Sequence, residues 1–334
     1  MILSITAPDD MHVHLRKGEI LKTALRYSAE QFARALIMPN TVPPVVLPKE
    51  LLAYKQEIDD FFYPNFKGLM TFQVMPPLNK DTVCELKQCG ALAGKLYPRG
   101  STTNAESAPS EIGLLSEVFS AMEENGLILS IHAEDPKYPV FEREFAFLEQ
   151  VERIRTKFPK LKIVVEHVSD YRTIEYVNSA GPNVASSVTL HHLLFTIDDI
   201  IGGKLEPHLF CKPTFKQKKD RDAIRNEVFS GNPKFFFGSD SAPHPKKKKE
   251  TEGAAGIFSA PVLLPKLVEL FEENGCLNKL EAFVSFFGAD FYKLPRNKNT
   301  VVLEKKAWEV PLLIDGLVPL FAGKNLNWKL SGKK

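Results

Sequence analysis

Short apolar runs of strand length recur along the chain, each followed by a polar or proline-containing turn and then a stretch with helical spacing. The runs are Met1–Ile5, Ala33–Met38, Leu69–Val74, Ala91–Leu96, Leu127–Ile131, Lys162–Glu166, Val184–Val188 and Phe235–Gly238. Between them, Pro48–Phe62, Lys80–Cys89, Glu111–Asn125, Glu142–Phe158 and Tyr171–Ala180 read as helices, the last stopped by Gly181-Pro182. Apolar strands alternating with helices are the pattern of a parallel α/β fold. Eight of them over about 240 residues favour a closed (β/α)8 TIM barrel over an open sheet. Phe258–Phe271 and Lys279–Phe287 read as further helices. From Thr300 to Leu330, Val301–Leu303, Pro311–Ile314 and Val318–Phe321 read as short irregular strands forming a small C-terminal extension packed on the barrel. The tail Ser331–Lys334 is expected to fray. With no linker or low-complexity block, residues 1–334 read as a single domain, of which about 300–330 is the extension.

Composition narrows the function. The 334 residues are 44% hydrophobic and 25% charged, the balance of a folded globular chain. Lys+Arg is 43 against Asp+Glu 41, a net charge of +2, too near neutral for a nucleic-acid or membrane-surface binder. No apolar run approaches the ~18 residues of a membrane span. The start MILSITAPDDMHVH lacks the basic and apolar regions of a secretory signal. Cys84, Cys89, Cys211 and Cys276 form no CxxC pair, so free thiols in a reducing cytoplasm are the simplest reading.

The chemistry lies in where the histidines fall. His12 and His14 follow the first run, and residues two apart in a strand share a face, so both imidazoles can reach one metal. An isolated HxH is equally well two chance histidines. His132 closes Leu127–Ile131 and His167 closes the run ending at Glu166; either alone reads as a core or capping histidine. In a barrel, however, all strand C-termini converge on one face, and four histidines there favour a metal site. Asp240, after Gly238-Ser239, reads as a helix cap in isolation and as a metal ligand and general base in that company. Lys95 closes Ala91–Gly94. It is a snorkelling surface lysine on composition alone. Facing two cations, its neutral amine could instead take up CO2 to give a carbamate, an anion able to bridge metals about 3.5–4 Å apart. The Lys246–Lys249 run reads as a solvated face, and His191, His192 and His208 as structural.

The order HxH, lysine, histidine, histidine, aspartate after successive strands resembles the amidohydrolase superfamily. Pro8–Arg16, Met38-Pro39-Asn40-Thr41, Gly94–Pro98, Glu166-His167 and Gly238–His244 resemble the dihydroorotase family in particular, in its compact, free-standing bacterial form. The resemblance runs in order from residue 8 to about 260 and returns in Trp308–Leu330. It implies two zinc ions per chain: His12 and His14 on the more buried one, His132 and His167 on the more exposed one, carboxylated Lys95 bridging both, and Asp240 as ligand, general base and acid. It implies that Arg16, Asn40 and His244 hold a substrate carboxylate. Backbone groups of Lys212 and Ala255 would meet the ring, and Thr102 and Thr103 would close over it. Lys212 stands where relatives carry an apolar residue, and the Gly253–Gly256 segment is one residue shorter than in some. The implied reaction is reversible cyclisation of N-carbamoyl-L-aspartate to dihydroorotate in pyrimidine biosynthesis, by a cytoplasmic homodimer. Hydantoinases and allantoinases share the metal set but need no group for a ring carboxylate, and a scaffold without activity would not need the ligands at all.

Overall fold

In the computed structural model, which describes residues 1–101 and 112–333, the strands in chain order are β1 (Ile2–Thr6), β2 (Asp9–Val13), β3 (Arg34–Ile37), β4 (Lys67–Gln73), β5 (Ala91–Leu96), β6 (Ile128–Ile131), β7 (Ile163–Val165), β8 (Val184–Val188), β9 (Phe235–Phe237), β10 (Thr300–Glu309) and β11 (Asn325–Lys333). Strands β2 to β9 form one parallel eight-stranded sheet in sequence order, with helices between them. It is the expected (β/α)8 barrel.

The first barrel strand is not the expected one. Ile2–Thr6 pairs antiparallel with β10, which in turn pairs with β11, in a separate three-stranded sheet. The barrel opens instead with the polar segment Asp-Asp-Met-His-Val, buried throughout. Its polar groups are matched. Asp9 takes a two-pronged bond from buried Arg34 (Nε–Oδ1 2.8 Å, Nη2–Oδ2 2.5 Å), and Asp10 Oδ1 accepts from the backbone of Ser239 at 2.8 Å and His12 at 3.1 Å. Burial raises the Asp10 pKa to about 6.

The C-terminal tail also departs from expectation. It runs in β11 to Lys333, whose ammonium caps the carbonyls of Ala29, Phe32 and Asn65. Pro311–Ile314 and Val318–Phe321 form turns with isolated bridges rather than strands.

Strand alternation sorts the side chains. Outward residues such as Ile37, Phe72, Leu129, Val165, Val188 and Phe237 pack under the helices. Inward residues Leu36, Leu69, Ala93, Ile128, Val164, Ala185 and Phe236 form an apolar floor with Met11 and Tyr292. Further along several strands the inward positions turn polar: Lys95, Ser130, Glu166 and Ser187 stand two residues beyond Ala93, Ile128, Val164 and Ala185, and Thr71 and Gln73 follow Leu69. The apolar plug therefore lies beneath a polar layer at the C-terminal mouth. The seam between β9 and β2 closes just beyond the strands, where Asp240 N donates to His12 O at 2.8 Å and His14 N to Ser241 O at 3.0 Å. Gly238 is required there: a Cβ would lie 2.9 Å from His12 Cβ and 3.1 Å from Ser187 Cβ.

Replacing Arg34 by methionine leaves Asp9 buried with, among the described residues, only Asn297 as side-chain donor. We expect Arg34→Met to lose about 3 kcal/mol in urea unfolding. Stability within 0.5 kcal/mol of the parent, roughly the scatter of surface changes, would contradict the pairing.

Candidate metal centre and substrate cavity

The mouth gathers His12 and His14 from the end of β2, Lys95 from β5, His132 after β6, His167 after β7 and Asp240 after β9; all are buried. His14 Nε2 lies 3.0 Å and His12 Nε2 3.6 Å from Asp240 Oδ1. The opposite ring nitrogens are held from behind. His12 Nδ1 meets Glu166 Oε2 at 2.8 Å, and His14 Nδ1 meets Asn40 Oδ1 at 2.7 Å. Each ring therefore donates its N–H backward and aims the Nε2 lone pair at a carboxylate. Burial lowers the His14 pKa to about 4, so that ring stays neutral. Two lone pairs and an anion converging without a proton form an arrangement that a cation satisfies. His12, His14 and Asp240 offer ligand atoms within 4.8 Å of one another.

The second pair is built the same way. His132 Nε2 meets Glu134 Oε2 at 2.8 Å, which turns His132 Nδ1 toward His167 Nε2 at 3.2 Å. Burial, with the charge of Lys95 and the neighbouring histidines, holds His167 well below the ordinary histidine range. Lys95 Nζ is fully buried with no hydrogen-bond partner among the described residues, 5.1 Å from the Tyr97 ring centre. Burial lowers its pKa to about 8 against the opposing pull of Glu166 and Asp240, which makes neutral amine accessible near neutral pH. The donor set, two imidazoles and a carboxylate beside two more imidazoles and a buried amine, fits divalent metals of zinc type.

Three residues of this group hold left-handed backbone: Arg16 (φ 63°), His167 (φ 41°) and Asp240 (φ 43°). Such positions cost about 1–3 kcal/mol each and persist only when the surroundings enforce them. Here Tyr54 Oη donates to Arg16 O at 2.7 Å, His167 N to Ser187 Oγ at 2.7 Å, and Asp240 N to His12 O.

The cavity above is lined by Arg16, Asn40, Tyr97, Lys212 and Ala255 together with His12, His14, His132, His167 and Asp240. His244 stands at its edge: its Nε2 lies 2.9 Å from Ala255 O and 3.1 Å from Arg16 Nη2. One nitrogen cannot donate to the carbonyl and accept from the guanidinium at once, so the ring serves one of them at a time. All the expected residues are thus brought together except Thr102 and Thr103, which lie outside the described residues. Sequence reading assigned no role to Glu166, Glu134 or Tyr97, nor to Asn40 as a partner of His14. Glu166 sits in the Glu166-His167 pair itself, the one signal available. Buried His192 is satisfied by Thr189 Oγ1 at 2.8 Å and Pro213 O at 3.2 Å, a structural role; both ring nitrogens of buried His191 lack partners among the described residues. His208 meets Glu250 at 3.3 Å near the surface.

Fold and mouth together define a barrel hydrolase of the amidohydrolase superfamily. No protein-family model matches the chain. It is 42% identical to a dihydroorotase of Shewanella denitrificans, covering 99% of both chains, and 40% identical to that of Teredinibacter turnerae over 98% of each. Among solved structures it matches a dihydroorotase from Campylobacter jejuni (TM-score 0.92, 38% identity, 99% and 97% covered) and one from Saccharomyces cerevisiae in complex with 5-fluoroorotic acid (TM-score 0.92, 32% identity, 99% and 98% covered). An L-hydantoinase from Arthrobacter aurescens shares the fold at 17% identity. The chain belongs to the dihydroorotase family.

Losing the carboxylate behind His12 frees the ring to rotate and lets it present the wrong nitrogen. Glu166→Gln is expected to weaken zinc retention about ten- to a hundredfold against a competing chelator. Retention equal to the parent would contradict the role drawn from the 2.8 Å contact.

Proposed function

We propose that this chain catalyses the reversible cyclisation of N-carbamoyl-L-aspartate to dihydroorotate at the mouth of the barrel. The observation that carries the reading is the arrangement of Arg16 and Asn40 over the histidine–carboxylate cluster. Asn40 Oδ1 meets His14 Nδ1 at 2.7 Å, which ties its side chain to the cluster at the cavity wall beside Arg16. The Arg16 guanidinium is planar and suits both oxygens of a carboxylate. A ring amide bearing a carboxylate can then be held by its acid end while its amide lies over the cluster. The yeast relative's complex with 5-fluoroorotic acid, another ring carboxylate, supports this choice over a plain cyclic amide.

Two zinc ions would be held by His12 and His14, and by His132 and His167, with Asp240 on the first and carboxylated Lys95 between them. When bound, zinc lowers the pKa of water toward neutral and polarises a carbonyl. Asp240 takes the proton from the attacking water and delivers it to the leaving ring nitrogen; in the biosynthetic direction the steps reverse. Its buried carboxylate is placed for that task, 3.0 Å from His14 Nε2 and 3.6 Å from His12 Nε2, where the ligand atoms converge. Main-chain groups of Lys212 and Ala255 would contact the ring, His244 would stand beside Arg16 and Asn40 at the substrate carboxylate, and Thr102 and Thr103 would close over the ring. The resemblance also supports one barrel domain with its C-terminal extension, acting as a homodimer. Four free cysteines support a reducing cytoplasm. Among the described residues no helix is long and apolar enough to cross a membrane.

Dihydroorotate hydrolysis should vanish on chelation, return with zinc, and be absent in Asp240→Ala at full zinc loading. Arg16→Met should raise KM for dihydroorotate about tenfold or more through loss of a charge-assisted pair. Turnover by the metal-free protein or by Asp240→Ala would refute the assignment.

A further inference from the structure

The lysine run Lys246–Lys249 is not uniformly solvated. It lies on the helix Lys246–Glu252, and Lys249 alone turns inward, 3% exposed. Its partners are carbonyls: Nζ donates to Phe210 O at 2.8 Å and to Gly256 O at 2.8 Å. The Phe210 carbonyl also accepts the Gly256 N–H at 2.9 Å. These three bonds fasten together two segments distant in sequence. One follows β8 and runs from Phe210 into Lys212; the other follows Asp240 and ends in Ala255-Gly256. Lys212 from the first segment and Ala255 and Gly256 from the second line the cavity.

The joint has no slack. Gly256 has φ +143°, and a Cβ there would lie 2.4 Å from the Ala242 carbonyl oxygen and 3.1 Å from His244 Cδ2. The Lys249 ammonium stands between the Phe210 and Gly256 carbonyl oxygens and donates to both. Burial lowers the Lys249 pKa to about 8, so the charge is carried at a cost. A side chain that cannot donate there would leave the buried Gly256 carbonyl without this donor and the part-buried Phe210 carbonyl with only the Gly256 N–H.

We propose that Lys249 is a positioning residue for dihydroorotate: its ammonium locks the Phe210–Lys212 and Ala255–Gly256 backbones together, so that Lys212 and Ala255 present their main-chain groups to the substrate ring at a fixed separation. The proposal rests on the reading of this cavity as the dihydroorotate site. Lys249 touches neither the metal cluster nor the reacting atoms, so its loss acts on substrate binding rather than on the chemical step.

The test compares steady-state kinetics of Lys249→Met, Lys249→Arg and the exposed neighbour Lys248→Met in the zinc-loaded protein. Lys249→Met should raise KM for dihydroorotate about tenfold or more with kcat changed less than about threefold. Lys249→Arg keeps the charge and two donors and should recover most of that loss, and Lys248→Met should match the parent. An unchanged KM in Lys249→Met, or a lowered melting temperature with KM intact, would overturn the proposal by reducing Lys249 to a structural residue. Should Lys249→Met not fold, Lys249→Gln takes its place with the same expected rise in KM, and parental KM overturns the proposal equally. Arg16→Met, run alongside, separates the two readings. A raised KM there with parental KM at Lys249→Met removes the lock and leaves the site; parental KM in both removes the site.

Discussion

A carboxylate cut off from water must be surrounded by donors, and Glu166 is surrounded by three from three different strands. His12 reaches it from β2, Ser130 from β6 and Ser187 from β8. Burial alone would neutralise the acid, yet its contacts with His12 and the charge of Lys95 hold the pKa below the ordinary value. The anion therefore stays charged at the centre of the barrel. It fixes the tautomer of His12, balances the buried lysine, and joins β2 to β6 and β8. Within the polar layer above the apolar floor, Ser130 and Ser187 are held directly by it.

The same economy recurs along the seam. Asp10 replaces a ladder partner by accepting from Ser239 and His12, and Asp240 and Ser241 complete the closure with their own backbones. The residues that shut the barrel are thus those that shape its mouth. Left-handed backbone at Arg16, His167 and Asp240 turns each side chain out of the direction its strand would give it. Strand alternation alone would have carried Arg16 toward His14; the structure reaches the same cavity through a strained turn pinned by Tyr54. Strain of this kind is tolerable because the closed barrel supplies the restraint.

Much of this was legible in the sequence, for a definite reason. Strands β3 to β9 are predominantly apolar, so each reads as a run, and the proposed ligands Lys95, His132, His167 and Asp240 fall at or just past the ends of β5, β6, β7 and β9. The proposed ligands announce themselves by that position. Strand β2 broke the rule: its buried groups are polar and paired across the seam, and the apolar run before it, Ile2–Thr6, was the more convincing strand although it belongs to another sheet. Strand β11, polar at alternate positions, was read as irregular chain and tail because its pairing with β10 supplies what its own sequence does not. The supporting residues were illegible for a different reason. Nothing local distinguishes Lys249 from Lys248, or assigns Glu134 to His132 and Asn40 to His14; these roles exist only once the strands stand side by side.

The central claim is that the convergence of lone pairs at the mouth is a two-metal centre bridged by Lys95. Diffraction from crystals of the zinc-loaded protein, with anomalous data collected on both sides of the zinc edge, tests it directly. The account predicts two anomalous peaks, one among His12, His14 and Asp240 and one between His132 and His167, with density for a carboxylate continuing from Lys95 Nζ between them. A single peak, or two peaks with Lys95 ending at a bare amine, would contradict it.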